Sequence, residues 1–265
     1  MSSQASSPAS PASITEEIST RTIRKLRSIG FALGPATRLT KFIEGLSQKL
    51  RNYSSLKTLD DLKEMLRRNK VNGEDITKIK QFTPDSLRGD YYITCINCHR
   101  QETHFSRYIH SFAERDVSGE DATGRVDYAI KSLEDLLCIT EGKPRNIKIG
   151  YAQNLAQLES AFQANKKKRT ADQAFGNDYF DYIYGVVTTG TEWHFIIYTP
   201  DGIYSTSGSE YQINLTKSAV KDNPELLRSN VKRVIGIIVG LLKDRVSVDS
   251  SPTSKRARIE KIIKK

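Results

Sequence analysis

Two strand-like segments followed by a long helical segment constrain the fold of this chain most. Residues 125–130 and 135–141 are rich in apolar and β-branched side chains, and the second segment is apolar enough to be buried. Only a short turn separates them, which predicts an antiparallel hairpin. In residues 149–165 the side chains of Leu155, Leu158 and Phe162 recur at helical spacing. A hairpin that continues into such a helix predicts an α/β fold.

The neighbouring segments extend this pattern into a larger sheet. Residues 105–114 have helical apolar spacing, and residues 182–189 and 192–198 have the composition of two further strands. The order from 105 to 198 is then α-β-β-α-β-β, which predicts a mixed central sheet of four or five strands flanked by helices. Three further elements are expected, namely a short strand in 91–95, another at 203–205 and a long helix at about 224–242.

The two ends of the chain differ in composition from this centre. Residues 1–13 are almost entirely Ser, Ala and Pro, so this segment is expected to be disordered. Residues 14–88 have helical spacing, with Thr58 as a candidate N-cap, and predict a basic N-terminal helical extension. Residues 89–246 then form the main domain, and residues 247–265 are expected to be a basic disordered tail.

An excess of basic residues favours a polyanionic partner. The formal net charge is +10 at pH 7 and the isoelectric point is about 9.4. Much of the excess lies in residues 21–88 and 247–265, on either side of a less basic centre. Lys and Arg attract nucleic acid because binding releases counterions from the phosphates. Solvated basic helix faces would give a similar composition.

The sequence points to neither a membrane nor secretion. The most apolar run, residues 234–242, is far shorter than the roughly 20 residues that span a bilayer. Residues 1–13 lack the apolar core of a secretory signal, and three cysteines are too few for a disulfide framework. We therefore expect a nuclear or cytoplasmic protein. The basic run 255–258 is typical of a nuclear-localisation segment, or equally of a solvated tail.

Three charged residues on the predicted hairpin suggest a catalytic site. Asp127 lies between apolar residues of the first strand, and Glu141 and Lys143 lie at the end of the second. Residues two apart on a strand project to the same face, so Glu141 and Lys143 would lie together beside Asp127. Two carboxylates form a hard-oxygen site that suits Mg²⁺ or Mn²⁺. A surface ion pair at the end of a hairpin is the simpler alternative.

The segments around these residues resemble the PD-(D/E)XK nuclease superfamily. Gly-Arg-Val-Asp at 124–127, Ile-Thr-Glu-Gly-Lys at 139–143 and the helix that begins at 150–157 carry the resemblance. The wider stretch 110–246, about half the chain, is most similar to a fungal group that includes Crinkler-type effectors and hypothetical proteins of mycorrhizal fungi. The resemblance implies a restriction-endonuclease-like fold for the 89–246 domain and metal-dependent hydrolysis of nucleic acid, with DNA favoured over RNA.

The same resemblance implies roles for individual residues. Asp127 and Glu141 would bind the metal, Lys143 would assist the attacking water, and Gln153 would reach toward the site from the helix. Glu114 is the candidate for an additional metal ligand from a preceding helix. Gln157 lies one helical turn beyond Gln153 and, with the basic run after the helix, is a candidate for contact with nucleic acid. That run consists of Lys166, Lys167, Lys168 and Arg169.

Two residues depart from the superfamily's pattern, and one motif of the fungal group is missing. Val126 stands where the name-giving Pro would be, and Gly142 stands between Glu141 and Lys143 where a larger apolar residue is usual. A glycine in a strand weakens it or permits a close backbone approach, so Gly142 bears on the geometry of the site. No Leu-Phe-Leu-Ala-Lys motif precedes the domain, so delivery as an effector is not implied.

Other hypotheses remain open beside the nuclease. The domain is alternatively an inactive nuclease scaffold that binds nucleic acid or protein, and residues 14–88 are alternatively a helical module for a protein partner. A homodimer would suit cleavage of both strands of a duplex. Cys95, Cys98 and His99 have the spacing of a haem attachment site. Cys95 and Cys98 could instead form a zinc site with His104 and His110, and two half-buried thiols are the simplest interpretation.

Overall fold

The structure is a computed structural model, and the chain divides into two compact units. It describes residues 24–25, 27–28, 30, 32–35, 37–38, 50–84, 109–132, 135–168, 180–208, 211–248 and 251–263, with backbone alone at 109, 110 and 112. The units are Met1–Arg51 and Asn52–Lys265. In the first unit, the described residues at 24–25, 27–28, 33–35 and 37–38 are helical. All further description concerns the second unit.

Five α-helices and nine strands are described from Arg51 onward. The helices are α1 (Leu59–Arg68), α2 (Ile147–Lys167), α3 (Lys217–Asp222), α4 (Pro224–Ser247) and α5 (Pro252–Ile263). The strands are β1 (Arg51–Asn52), β2 (Lys80–Gln81), β3 (Ile109–Ser118), β4 (Ala122–Ser132), β5 (Asp135–Gly142), β6 (Ile183–Thr188), β7 (Glu192–Thr199), β8 (Gly202–Ser205) and β9 (Tyr211–Gln212). Short 3-10 turns occur at Tyr53–Ser55 and Ile76–Lys78.

The strands form one mixed sheet. From β4 the order is β4-β5-β6-β7-β8-β2, with β3 paired to β4 and β9 paired to β7. Strands β3, β4 and β5 form an antiparallel meander, and α2 then crosses over to β6, which is parallel to β5. The predicted α/β class with a mixed sheet is thus confirmed. The sheet has more strands than the four or five predicted because β1, β2 and β9 are only two residues long and β3 was predicted as a helix.

Helices cover both faces of the sheet, and each face has its own hydrophobic core. On one face, α1 and α2 pack against apolar side chains of β4–β7 that include Val126, Ile139 and Val187. On the other face, α4 and α5 pack against Tyr184, Phe195 and their neighbours. Successive residues of β6 and β7 alternate between the two cores, as expected for strands that are buried on both sides.

The start of α1 follows from its first residues. Thr58 is the N-cap: its hydroxyl accepts a hydrogen bond from the Asp61 backbone N–H at 3.1 Å. The Asp61 carboxylate accepts one from the Thr58 N–H at 2.8 Å, which completes a capping box. The predicted helix and its N-cap are confirmed, and Leu62, Met65 and Leu66 form its buried face.

The prediction of a helix at 105–114 was wrong for residues 109–114, the part of this range that the structure describes. Residues 109–118 form β3, which pairs antiparallel with β4 from Ile109 opposite Ser132 to Ser118 opposite Thr123. The intervening loop closes the hairpin, with the Gly119 N–H bonded to the Ala122 carbonyl at 2.8 Å. Pairing along the whole of β4 supplies backbone hydrogen bonds that outweigh the local helical spacing.

The C-terminal tail also differs from the prediction. Residues 247–265 were expected to be disordered, but Pro252–Ile263 form α5, and Ile259 and Ile262 are buried in the core beside α4. Burial of these apolar side chains stabilises a segment whose composition alone indicates a loose tail.

The predicted boundary at 88/89 differs from the structure as well. The compact unit begins at Asn52, because α1 shares its core with α2.

Several predictions fall outside the described residues. These are the disordered segment 1–13, most of the helical extension before residue 50, the strand at 91–95, and the side chains of Cys95, Cys98, His99, His104, His110 and Arg169. No helix in the described part of the chain is both long and apolar enough to cross a membrane.

Candidate functional site

Asp127 and Glu141 meet where strands β4 and β5 separate. The ladder between these strands runs to Tyr128 opposite Thr140, so Asp127 and Glu141 are the next opposed pair. Beyond this point the strands diverge, and the Gly142 backbone N–H donates a 2.7 Å hydrogen bond to Oδ2 of Asp127. The bond fixes the Asp127 carboxylate beside Glu141. Among the described residues, no protein group bonds Oδ1 of Asp127.

The carboxylate of Glu141 is buried between a cation and an amide. Its side chain is 4% exposed. Oε1 forms an ion pair with Nζ of Lys143, and Oε2 accepts a 2.6 Å hydrogen bond from Nε2 of Gln157. Burial raises the pKa of Glu141 above its ordinary value, although the bonds from Lys143 and Gln157 lower it and the nearby Asp127 charge raises it further. The ionised form of Glu141 is therefore disfavoured at this site, both by burial and by the nearby charge of Asp127.

Lys143 follows directly on the end of β5 and is held by the neighbouring strand. Its backbone N–H donates to the Thr188 carbonyl of β6 at 2.8 Å. Gly150 of α2 passes close by: a Cβ there would lie 3.3 Å from Cγ of Lys143 and 2.5 Å from Cγ1 of Val187. The glycine thus lets the start of α2 approach the strand ends. The Lys143 side chain is 25% exposed, so its ammonium reaches both Glu141 and solvent.

A chain of buried amides supports Glu141 from α2. Nδ2 of Asn154 donates to the Ile139 carbonyl at 3.1 Å and to Oε1 of Gln157 at 3.3 Å. Gln157 then donates to Glu141, and both amide side chains are almost fully buried. Oδ1 of Asn154 has no hydrogen-bond partner among the described residues. Asn154 was not among the predicted site residues, although a polar residue three positions before Gln157 on a buried helix face indicates such a network.

The two glutamines of α2 have different positions from those predicted. Gln153 was expected to reach the carboxylates, but its amide donates a 2.7 Å hydrogen bond to the Leu56 carbonyl. Gln157 was placed with the nucleic-acid contacts, but it is only 1% exposed and contacts Glu141. Gln157 is therefore the glutamine that supports the site, and Gln153 secures the segment before α1.

Glu114 of β3 lies at the level of Asp127 in the β3–β4 pairing, but its side chain pairs with an arginine. It belongs to β3, opposite Asp127 of β4, and its φ of 50° is rare for a residue with a side chain. Its carboxylate forms a 3.0 Å ion pair with Arg125, and its side chain is 70% exposed. In the described structure Glu114 is thus a partner of Arg125 rather than a third member of the acidic pair.

The basic run after α2 lies at the far end of that helix. Gly150 is next to Lys143, and Lys166 follows sixteen residues later, roughly 24 Å along the helix axis at 1.5 Å per residue. Lys167 forms a 3.7 Å ion pair with Glu120 in the β3–β4 turn. The structure therefore does not bring Lys166, Lys167 and Lys168 to the carboxylates.

A divalent cation fits the donor set of the site. Asp127 and Glu141 are two carboxylates on neighbouring strands, and Mg²⁺ is commonly bound by one or two carboxylates together with water and substrate phosphate. No group of three or more His, Cys, Asp or Glu side chains suited to a metal occurs in the described part of the chain. Metal binding here would rest on these two acids and would displace or weaken the ion pair between Lys143 and Glu141.

No family model, no curated protein and no solved structure matches the chain.

Proposed function

We propose that this chain is a metal-dependent nuclease that hydrolyses phosphodiester bonds in nucleic acid. The observation that carries the proposal is the meeting of Asp127, Glu141 and Lys143 at the fork between β4 and β5. The antiparallel meander followed by a crossover helix and a parallel strand supports a restriction-endonuclease-like fold of the PD-(D/E)XK type. DNA is the favoured substrate, as the resemblance implies.

The side chains divide the chemistry among them. Asp127 and Glu141 would hold Mg²⁺ or Mn²⁺, which supplies Lewis-acid stabilisation of a phosphate and acidifies a bound water. The free Oδ1 of Asp127 is oriented by the Gly142 bond to its other oxygen. Lys143 places a positive charge beside the phosphate and stabilises the negative charge that develops there. Gln157 keeps the Glu141 carboxylate in position through a fixed hydrogen bond.

The surroundings of the site offer charge for the phosphate backbone. Arg145 lies in the exposed loop between Lys143 and α2, and Arg125 lies two residues before Asp127 with 60% of its side chain exposed. Such contacts would position nucleic acid without selecting a sequence. Assembly into a homodimer and a protein partner for residues 14–88 are further proposals that stem from the sequence.

A non-catalytic scaffold is the second candidate, and one observation favours it. Both oxygens of Glu141 already have partners, because Oε1 is paired with Lys143 and Oε2 with Gln157. A carboxylate neutralised in this way can serve as a structural ion pair in a domain that binds nucleic acid or protein. Binding of Mn²⁺ distinguishes the candidates, because a scaffold does not require the metal.

Metal-dependent cleavage that needs Asp127 and Lys143 tests the proposal. Purified full-length protein is incubated with plasmid DNA and with labelled RNA in Mg²⁺, in Mn²⁺ and in EDTA. We expect cleavage with either metal, none in EDTA, and a loss of at least about 100-fold in each site variant. Asp127→Ala removes a metal ligand, and Lys143→Ala removes the positive charge that stabilises the phosphate.

Glu120→Gln is the matched control, since this exposed carboxylate lies at the far end of α2, beside Lys167. It should cut at the rate of the unaltered chain. If no substrate is cut, or if cutting persists in both site variants, the scaffold becomes the better interpretation. Gel-shift assays with the same variants then show whether binding remains.

A further inference from the structure

A cavity of mixed polar and apolar lining lies at the same end of the sheet as the carboxylates. It has a volume of about 440 Å³, within the usual range for small-molecule pockets. It opens between the start of β7 and the segment that follows β9. Its lining combines a carboxylate, two amides, two hydroxyls and two apolar side chains, namely Glu192, Gln212, Asn214, Thr191, Thr216, Ile213 and Leu215.

The register of the sheet relates this cavity to the carboxylates. Glu141 of β5 is opposite Val187 of β6, which is opposite His194 of β7. Glu141 and His194 both face α2, because each bonds a residue of that helix. They are two strand spacings apart, roughly 10 Å. Glu192 lies on the same face one residue pair further toward the sheet end. A nucleotide whose phosphate lies beside Lys143 would therefore extend its own base or its neighbour's base toward Glu192.

Glu192 is held in place by a chain of hydrogen bonds that begins in the core. The hydroxyl of Tyr151, which is fully buried on α2, lies 3.0 Å from Nδ1 of His194. Nε2 of His194 lies 2.7 Å from Oε1 of Glu192. A neutral imidazole with its proton on Nε2 satisfies both contacts, because it accepts from Tyr151 and donates to Glu192. The chain fixes one carboxylate oxygen, and the side chain of Glu192, which lines the cavity, remains 41% exposed.

An oriented carboxylate selects ligands by their donors. An ionised carboxylate is an acceptor only, so it binds groups that carry N–H or O–H. Cytosine, adenine and guanine present an exocyclic amino group, whereas uracil and thymine present a carbonyl at the matching position of the pyrimidine ring. The amides of Gln212 and Asn214 and the exposed side chain of Leu215 add polar and apolar contact to the same cavity.

We propose that this cavity binds one unpaired nucleobase of the substrate, and that Glu192 selects bases that carry an exocyclic amino group. The proposal rests on the proposed nuclease function for the identity of the ligand. The phosphate would lie beside Lys143, and the cavity contacts the base. His194 and Tyr151 are positioning residues that act through Glu192.

Nucleosides test the cavity separately from cleavage, because they have no phosphate and need no metal. Trp193 is the only tryptophan of the chain and is adjacent to Glu192 in β7. The full-length protein in EDTA is titrated with cytidine and with uridine, which differ in the amino group. Trp193 fluorescence and saturation-transfer NMR are followed together. We expect saturable binding of cytidine with an affinity about 10-fold or more above that of uridine.

Glu192→Gln should remove this discrimination, because glutamine offers both an acceptor and a donor. Glu120→Gln and Asp127→Ala should retain it, and Asp127→Ala should still fail to cleave. Tyr151→Phe should reduce the discrimination between cytidine and uridine, because the hydroxyl that orients His194 and, through it, Glu192 is lost. The inference is overturned if neither method detects cytidine binding, if uridine binds equally well, or if Glu192→Gln discriminates as the unaltered chain does. Selective nucleoside binding without any cleavage would instead refute the nuclease proposal alone.

Discussion

The burial of Glu141 determines how the candidate site responds to pH. A carboxylate that loses water on folding favours its protonated form unless its partners compensate fully. At Glu141 the bonds from Lys143 and Gln157 compensate in part, and its pKa stays above the ordinary value. A metal ion would favour the ionised form, so proton and metal compete for the same oxygens.

We expect the stability of the metal-free protein to fall as the pH rises through the Glu141 pKa. Because the folded pKa is raised, the native state binds more protons than the unfolded state between the two pKa values. The contribution of Glu141 is thus fully present below its ordinary value of 4.5 and is lost as the pH rises through the raised folded value. Urea denaturation in EDTA at a series of pH values measures it.

Glu141→Gln is the control for this pH dependence, since glutamine cannot titrate. The difference in unfolding free energy between the unaltered protein and the variant should shift in favour of the variant as the pH rises. A difference that stays constant from pH 4 to pH 8 would contradict the raised pKa. With metal present, the acidic limb of the cleavage profile should move to lower pH as the metal concentration rises, because the metal binds the ionised form of Glu141 in competition with the proton.

The two glutamines of α2 allow a matched test of positioning. Gln157→Ala removes the bond to Glu141 and should lower cleavage or metal affinity by about 10- to 100-fold. Gln153→Ala leaves the buried Leu56 carbonyl without its partner and should cost about 1–3 kcal/mol of stability. The metal concentration for half-maximal cleavage should change only in Gln157→Ala. An equal shift in both variants would mean that α2 itself has moved.

For individual residues, the sequence pattern predicted the positions of the charged site residues better than those of the glutamine side chains. Asp127, Glu141 and Lys143 were predicted to lie together, and strand periodicity is enough to bring them to one face. The glutamines are i and i+4 on one helix, so periodicity gives both nearly the same direction. Their separation depends on how α2 crosses the sheet and on the position of Leu56, which lies 97 residues before Gln153 in sequence. Local patterns carry no information on that distance.

At the level of elements, the N-cap of α1 gives a direct stability test. Thr58→Ala removes the hydroxyl that accepts from the Asp61 N–H and leaves that donor unpaired at the helix start. We expect a loss of about 1 kcal/mol in the free energy of unfolding. Thr58→Ser keeps the acceptor and should retain most of the stability. Equal losses in the two variants would show that the methyl group, rather than the hydroxyl, stabilises this end of α1.

The elements that sequence predicted best are those with strong periodicity and buried neighbours. Strands β4–β7 and helices α2 and α4 differ from their predicted bounds by only a few residues. Strand β3 was missed because its spacing suits a helix and only its pairing with β4 makes it a strand. Helix α5 was missed because its segment is rich in Ser, Lys and Arg, and its buried isoleucines are few. Both errors arise where long-range contacts decide the local structure.

Across the whole second unit, a buried ionic cluster fastens the C-terminal helix to the rest. Asp181, which has no exposed surface, pairs with Arg245 of α4 at 2.7 Å and with Lys255 of α5 at 2.9 Å. Asp244 accepts hydrogen bonds from Tyr182 at 3.0 Å and Tyr184 at 2.7 Å and also pairs with Arg258 of α5. The basic side chains of the run 255–258, namely Lys255, Arg256 and Arg258, therefore help to stabilise the fold through ion pairs.

Substitution of two aspartates that pair with α5 compares a buried ion pair with an exposed one. Asp181→Ala leaves the buried cations Arg245 and Lys255 without the carboxylate that neutralises them. We expect the free energy of unfolding to fall by about 3–5 kcal/mol. Asp201→Ala removes the partner of Arg256, a pair about half exposed on both sides, and should cost no more than about 1 kcal/mol. Urea denaturation of both variants at neutral pH measures the difference.

The same pair of variants also tests whether α5 is an integral part of the fold. If the buried cluster holds α5 in place, Asp181→Ala should expose the segment to limited proteolysis near residues 249–251, while Asp201→Ala should not. The reason is that α5 buries few apolar side chains and depends on the ionic contacts for the remainder of its attachment. Similar stability losses in both variants, or a protease-resistant α5 in Asp181→Ala, would assign its attachment to Ile259 and Ile262 instead.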